Sequence, residues 1–277
     1  MPEFLKVINM KGFDVHRTPR WQMVPFLGLR YIALRGGTGM TVSSSKPWIV
    51  AVKEVTQADL PAGEWGHERT PLLPTDRVFC LLGVWKGDAL IQATGSGGPV
   101  NLEVDVKLRK TIRVTFTFIE DSAGHKTIRV PADAAGWLKK VNYIFTNQAN
   151  IEVLSRFSRW KTVGKDLGSV ITTLENAPGE EVDIYPLGDT GADFNVFLVW
   201  EVEITDNAGN DTGFTDGTNI LLDDKGAKDI AESLAHELGH AMSLSDQYTI
   251  QRELMYGYDD KRGIHLAKAH VNDVNRL

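Results

Sequence analysis

Short apolar runs broken by Gly, Pro, Asn and Asp fill the N-terminal part of this chain, a strand-and-turn pattern. Trp48–Val52 is a first clear strand, and a polar stretch carrying Pro61, Pro71 and Pro74 follows it. Further strands are expected at Arg77–Leu82, Ala89–Thr94 and Asn101–Val106. Residues 1–37 mix aromatic and basic side chains without a clear period and are read as extended structure, a strand or a docking segment.

Beyond residue 107 the pattern becomes mixed. Thr111–Ile119 alternates with period two, so one face should be buried. A turn at Asp121–Gly124 leads to a second run, Thr127–Val130. Pro131 then opens a helical pattern in which Ala135, Leu138, Val141, Asn142 and Phe145 recur up to about Asn147. Ile151–Leu154 reads as a strand and residues 161–190 as a long polar loop. Phe194–Val202 is nearly continuous in apolar residues, as a central strand is. After a short strand at Asn219–Leu222, Asp223 and Asp224 are placed to cap a helix starting near Gly226 or Ala227. Ile230, Leu234, Leu238 and Ala241 line one side of that helix, and His236 and His240 lie on another. A last amphipathic helix is expected over Ile264–Val274.

Charge and composition narrow the classes. A net charge of −6 argues against general nucleic-acid binding. No apolar run reaches the roughly 18 residues a membrane-spanning helix needs. The start, Met1-Pro2-Glu3-Phe4-Leu5-Lys6, lacks the basic and apolar segments of a secretory signal. Residence in the cytoplasm, export by a non-classical route and a leader missing from the sequence all stay open. The single cysteine excludes an internal disulfide, and Cys80 sits in an apolar run that predicts a buried thiol.

The densest chemistry is His236-Glu237-Leu238-Gly239-His240. Histidines four apart lie on one helix face and reach one cation, and the glutamate beside the first reaches a water on it. A catalytic zinc needs a third protein ligand. Asp246, six residues after His240, is the nearest candidate, ahead of Asp259, Asp260, His265 and His270. His265 and His270 fall in the last helix, where a packed or surface imidazole is the default. Asp206–Gly213 is rich in oxygen ligands and reads either as a Ca2+ loop or as plain turn chemistry.

The run His236–Asp246, followed by Leu254-Met255-Tyr256-Gly257, resembles the zinc-binding consensus and Met-turn of the metzincin metalloproteases. That resemblance covers residues 108–277 and implies an α+β catalytic domain with a twisted mixed sheet, an active-site helix and a C-terminal helix. It implies His236, His240 and Asp246 as zinc ligands, Met255 as an apolar floor under the metal, and Glu237 as general base. It also implies a peptide held along an edge strand near Thr212–Thr215, and a pocket wall within Tyr256–Arg262. Tyr256 and Tyr258 flank the position where some members place an oxyanion-binding tyrosine, and Tyr248 is a further candidate. One departure stands out. The family usually has Gly where this chain has Ser243, at a helix end that favours positive φ. A different turn there would leave Asp246 orienting a histidine instead of binding metal.

Residues 38–107, through Leu82–Ala93 and Leu102–Val106, resemble a bacterial immunoglobulin-like β domain. Such a module would be a spacer, or would dock a carrier or substrate protein. The expected whole is an N-terminal segment (1–37), an immunoglobulin-like domain (38–107) and a zinc endopeptidase domain (108–277). The competing expectations are a non-catalytic metal-containing binding or adhesion protein, and the same protease acting as an exported toxin or effector.

Overall fold

In the computed structural model, which describes residues 1–61, 69–173, 179–204, 213–224, 229–258 and 261–276, the chain divides into two units. The first holds Met1–Lys110, Thr146–Ile151 and His265–Leu277. Its strands are β1 (Glu3–Lys6), β2 (Phe13–Asp14), β3 (Arg20–Pro25), β4 (Leu29–Arg35), β5 (Thr41–Ser44), β6 (Val50–Val55), β7 (Arg77–Gly83), β8 (Gly87–Thr94) and β9 (Val100–Lys107). They form two sheets, ordered β1-β4-β7-β6 and β2-β3-β9-β8-β5. Phe4, Ile32, Leu34, Phe79 and Leu81 of the first share one core with Val24, Ile91, Leu102, Val104 and Val106 of the second. Two sheets each bury an apolar face by this stacking.

Residues 3–35 thus supply four strands to those sheets. Their lack of period has a physical cause. Trp21, Gln22, Met23 and Val24 of β3 are all buried, so both faces are covered and no alternation is left to read. Cys80 is half-buried, not fully enclosed as its apolar setting predicts, and burial raises its thiol pKa.

The second unit holds Thr111–Phe145 and Glu152–Ile264. Its elements are β10 (Lys110–Glu120), α1 (Ala134–Ala149), β11 (Ile151–Thr162), β12 (Ile171–Thr173), β13 (Phe194–Leu198), β14 (Val202–Ile204), β15 (Gly213–Asp216), β16 (Asn219–Leu222) and α2 (Ile230–Ala241). The ends of β10, α1 and β11 run into residues of the first unit. The five-stranded sheet runs β11-β10-β13-β16-β15, with β13 parallel to β10 and β16 and with β15 antiparallel at an edge. The architecture is therefore mixed, sheet-rich and poor in helices, consistent with an α+β class.

Several local readings change. Thr127–Val130 is not a strand, because the Thr127 hydroxyl and the Ile128 N–H both donate to the Asp224 carboxylate, each at 2.7 Å. The buried side of α1 is Ala134, Trp137, Val141, Ile144 and Phe145, turned by about one residue from the predicted stripe, and Ala135 faces solvent. The predicted polar loop carries β12 and two 3-10 turns, Glu180–Asp183 and Tyr185–Leu187, anchored by the fully buried Ile171 and Ile184. Helix α2 is capped by Asp229, whose carboxylate accepts from Ala231 N at 2.9 Å, not by Asp223 or Asp224. Lys140 of α1 pairs with both Asp229 and Glu232 and joins the two helices. The last helix is shorter than predicted, α3 (Lys268–Val274), and belongs to the first unit.

Candidate metal centre

Helix α2 packs on β15 and β16, burying Leu234, Ala235 and Leu238 completely. It ends in a Schellman turn: Leu244 N donates to Gly239 O at 2.9 Å and Ser243 N to His240 O at 2.7 Å. Ser243 occupies the left-handed position of that turn, with φ 72°. The turn usually made by glycine forms here with serine, at a cost of roughly 1 kcal/mol. Ser243→Gly should therefore stabilise the protein by about 0.5–1 kcal/mol, read as a raised unfolding midpoint in urea without a change in slope.

The turn has a consequence for both histidines. It presents Leu244 O to His240 Nδ1 at 2.9 Å, while Leu254 O lies 2.8 Å from His236 Nδ1. A carbonyl only accepts, so each Nδ1 carries the proton and each neutral Nε2 presents its lone pair. The two Nε2 atoms are 3.0 Å apart, with Asp246 Oδ1 3.4 Å from one and 3.5 Å from the other. Donors around a tetrahedral zinc with bonds of 2.0–2.1 Å lie about 3.3 Å from each other. The three side chains thus match zinc in donor type, tautomer and spacing.

His236 is 3% exposed, and burial, with the nearby Arg262 and His240, holds its imidazole at about 3, far below the ordinary 6.5. The sign of the linkage follows. Between pH 6.5 and 3 the unfolded chain binds a proton that the folded chain refuses, so acidification favours unfolding. For the metal-free protein this lowers stability by about 2 kcal/mol at pH 5 relative to neutral pH. Denaturant unfolding at pH 7 and pH 5 in chelator should show that loss, and His236→Gln should remove most of it.

Glu237 is 7% exposed. Its Oε2 accepts from the Thr215 hydroxyl of β15 at 2.5 Å, and its side chain lies so close to Gly213 that a Cβ there would sit 2.9 Å from Glu237 Oε1. Burial raises its carboxyl pKa, against the lowering effect of His240 and the Thr215 hydrogen bond. The carboxylate therefore stands between α2 and β15, with a basicity above that of an ordinary glutamate. Thr215 itself was expected only as backbone edge. Its hydroxyl role carries no sequence signal, because it depends on β15 folding against α2.

Met255 is fully buried against α2, where a Cβ on Gly239 would collide with its Sδ, so Gly239 leaves room for the methionine. Tyr256 is buried, and Tyr258 and Tyr248 are exposed; the three rings pack on one another with centroids 5.4–6.4 Å apart. Of the two tyrosines flanking Gly257, only Tyr258 keeps its ring open to solvent. Asp259, Asp260 and most of the predicted Ca2+ loop (206–212) lie outside the described residues. His265 and His270 fall in the first unit, where His265 Nε2 meets Phe13 O at 3.3 Å. A second close group, Asp121, His125 and Asp166, is a turn lock: Asp121 accepts from Ala123 N, His125 N, His125 Nδ1 and Leu167 N.

No protein-family model matches the chain. No curated protein matches it either. Among solved structures it is similar to metalloproteinase-II from Bacteroides fragilis at 10% identity, over 91% of this chain and 84% of that one, with a TM-score of 0.40. It is also similar to the S-layer protein SbsC, at 15% identity over 38% of this chain for domains 5-6 (TM-score 0.22) and for domains 4 and 5 (TM-score 0.21). The chain spans about half the length of those two S-layer structures, 45% and 53%. Likenesses this distant carry no functional argument, which rests on the chain's own side chains.

Proposed function

We propose that this protein is a zinc-dependent endopeptidase of metzincin type. One observation carries the reading: two lone-pair-bearing imidazoles and a carboxylate converge at 3.0–3.5 Å beside a buried, basic Glu237. A structural metal site has no use for that glutamate, and burying an unneeded carboxyl is costly. Zinc held by His236, His240 and Asp246 supplies a Lewis acid that acidifies water and polarises a carbonyl.

Glu237 takes a proton from the attacking water and passes it to the departing amine, so water's oxygen bonds the carbonyl carbon as the C–N bond breaks. The Thr215 hydroxyl holds Oε2 and leaves Oε1 for that exchange. Among the described residues β15 pairs with β16 on one side only, which leaves its other side's backbone N–H and C=O groups for an extended peptide. Main-chain recognition of this kind leaves specificity to pockets. The test is hydrolysis of a mixed peptide library by purified protein, cleaved sites being read by mass spectrometry with and without chelator. Cleavage that chelator abolishes and zinc restores supports the reading. A zinc-loaded protein that cleaves nothing in the library overturns it in favour of a binding protein.

A further inference from the structure

Three turns of the first unit meet and carry exposed apolar side chains. They are Phe26-Leu27-Gly28, Lys46-Pro47-Trp48 and Val84-Trp85-Lys86. Hydrogen bonds tie them together: Leu27 N to Gly83 O at 2.8 Å, and Val84 N and Trp85 N to Ile49 O at 2.8 and 3.1 Å. The Phe26 and Trp85 rings meet edge to face at 5.9 Å. Leu27 is 71% exposed, Trp48 64% and Trp85 60%. Leu29 and Leu82, directly paired across β4 and β7, continue the exposed apolar surface. Leu27 is moreover held at φ 55°, a backbone region that residues other than Gly, Asn and Asp rarely adopt, so its outward side chain is not explained by relaxed local geometry.

The exposed charges around these tips are mostly basic. Lys46 and Lys86 lie in these turns against one acid, Asp88, which Lys46 pairs at 2.7 Å, whereas the Arg30 guanidinium is buried and bonded to Lys11 O and Asn147 O. Lys53 is exposed on β6, two residues from Ala51, whose cross-strand partner is Leu82. The chain as a whole is net negative, so a basic rim around tryptophan and leucine is a local feature. Trp rings favour the boundary between hydrocarbon and water, and lysines beside them favour anionic headgroups. No helix among the described residues is long and apolar enough to cross a membrane, and insertion of turn tips at a lipid surface needs none.

We propose that these three turns form a membrane-docking tip that inserts Leu27, Trp48 and Trp85 into the surface of an anionic lipid bilayer, with Lys46 and Lys86 on its headgroups. The proposal is independent of the metal site and uses residues of the first unit alone. The test is co-sedimentation of the full chain with vesicles of phosphatidylcholine alone, or of equal parts phosphatidylcholine and phosphatidylglycerol, at low and high salt. Binding to the anionic vesicles that salt weakens is the expected result. Leu27→Gly/Trp48→Ser/Trp85→Ser should abolish it, with circular dichroism and thermal unfolding of that variant showing a folded protein. Lys46→Gln/Lys86→Gln, which leaves the apolar tips whole, should weaken it roughly tenfold or more, since each surface lysine is worth about fivefold. Absence of binding by the wild type, or equal binding to neutral vesicles, overturns the proposal. So does a concentration-dependent dimer that the triple variant loses, which would make a second copy the occupant.

Discussion

Glu237→Ala should keep its zinc and lose activity by roughly 10²–10⁴ in kcat, the range a positioned general base contributes. The separation of the two readouts follows from the geometry. The ligand nitrogens are oriented by Leu254 O and Leu244 O, and neither hydrogen bond involves the Glu237 side chain. Zinc content by elemental analysis should match the wild type while peptide hydrolysis collapses. Glu237→Gln should be equally slow, since the amide fills the same space beside Gly213 and Thr215 but cannot take a proton. Wild-type activity should rise with pH along an acid limb governed by Glu237. Full proteolysis by Glu237→Ala would remove the general-base mechanism.

Asp246→Ala should weaken zinc binding more than about 100-fold, because a direct ligand is lost; a carboxylate that only orients a histidine costs about 10- to 100-fold. The side chain is 33% exposed and follows the Schellman turn, so its removal leaves no core cavity. The metal-free variant should unfold within about 0.5 kcal/mol of the metal-free wild type. Asp246→His, which places another zinc-competent donor at that spacing, should restore much of the affinity. Competition with a chromophoric chelator measures all three proteins. A loss below tenfold in Asp246→Ala would take Asp246 out of the ligand set.

The pairing of the two histidines was legible because it is local. His236 and His240 are brought together by the helical repeat itself, and Ile230, Leu234 and Leu238 mark its core-packed stripe, although the helix is buried nearly all round, His236 and Glu237 included. The run Phe194–Val202 announces a buried strand for the same reason, although the strand ends at Leu198. Where a side chain captures backbone donors at long range, the pattern misleads. Thr127–Val130 alternates like a strand, yet Asp224, ninety-seven residues after Thr127, takes the Ile128 N–H and the Thr127 hydroxyl. β3 shows the converse, a real strand hidden because burial on both faces erases its period.

What the sequence by itself determined is the identity and spacing of the donors: two imidazoles one helical turn apart, a carboxylate six residues on, and a glutamate between them. Tertiary structure alone decided what those groups are able to do. The Leu244 and Leu254 carbonyls set the tautomers, Ser243 at φ 72° turns Asp246 back toward the imidazoles, and Thr215 on β15 closes over Glu237. The Leu244 carbonyl and Ser243 act within the helix-end turn, whereas Leu254 and Thr215 reach the site from eighteen and twenty-two residues away, and periodicity carries no information about partners outside its own window. Protonation state and basicity are properties of those partners, so they come into being only when the chain folds.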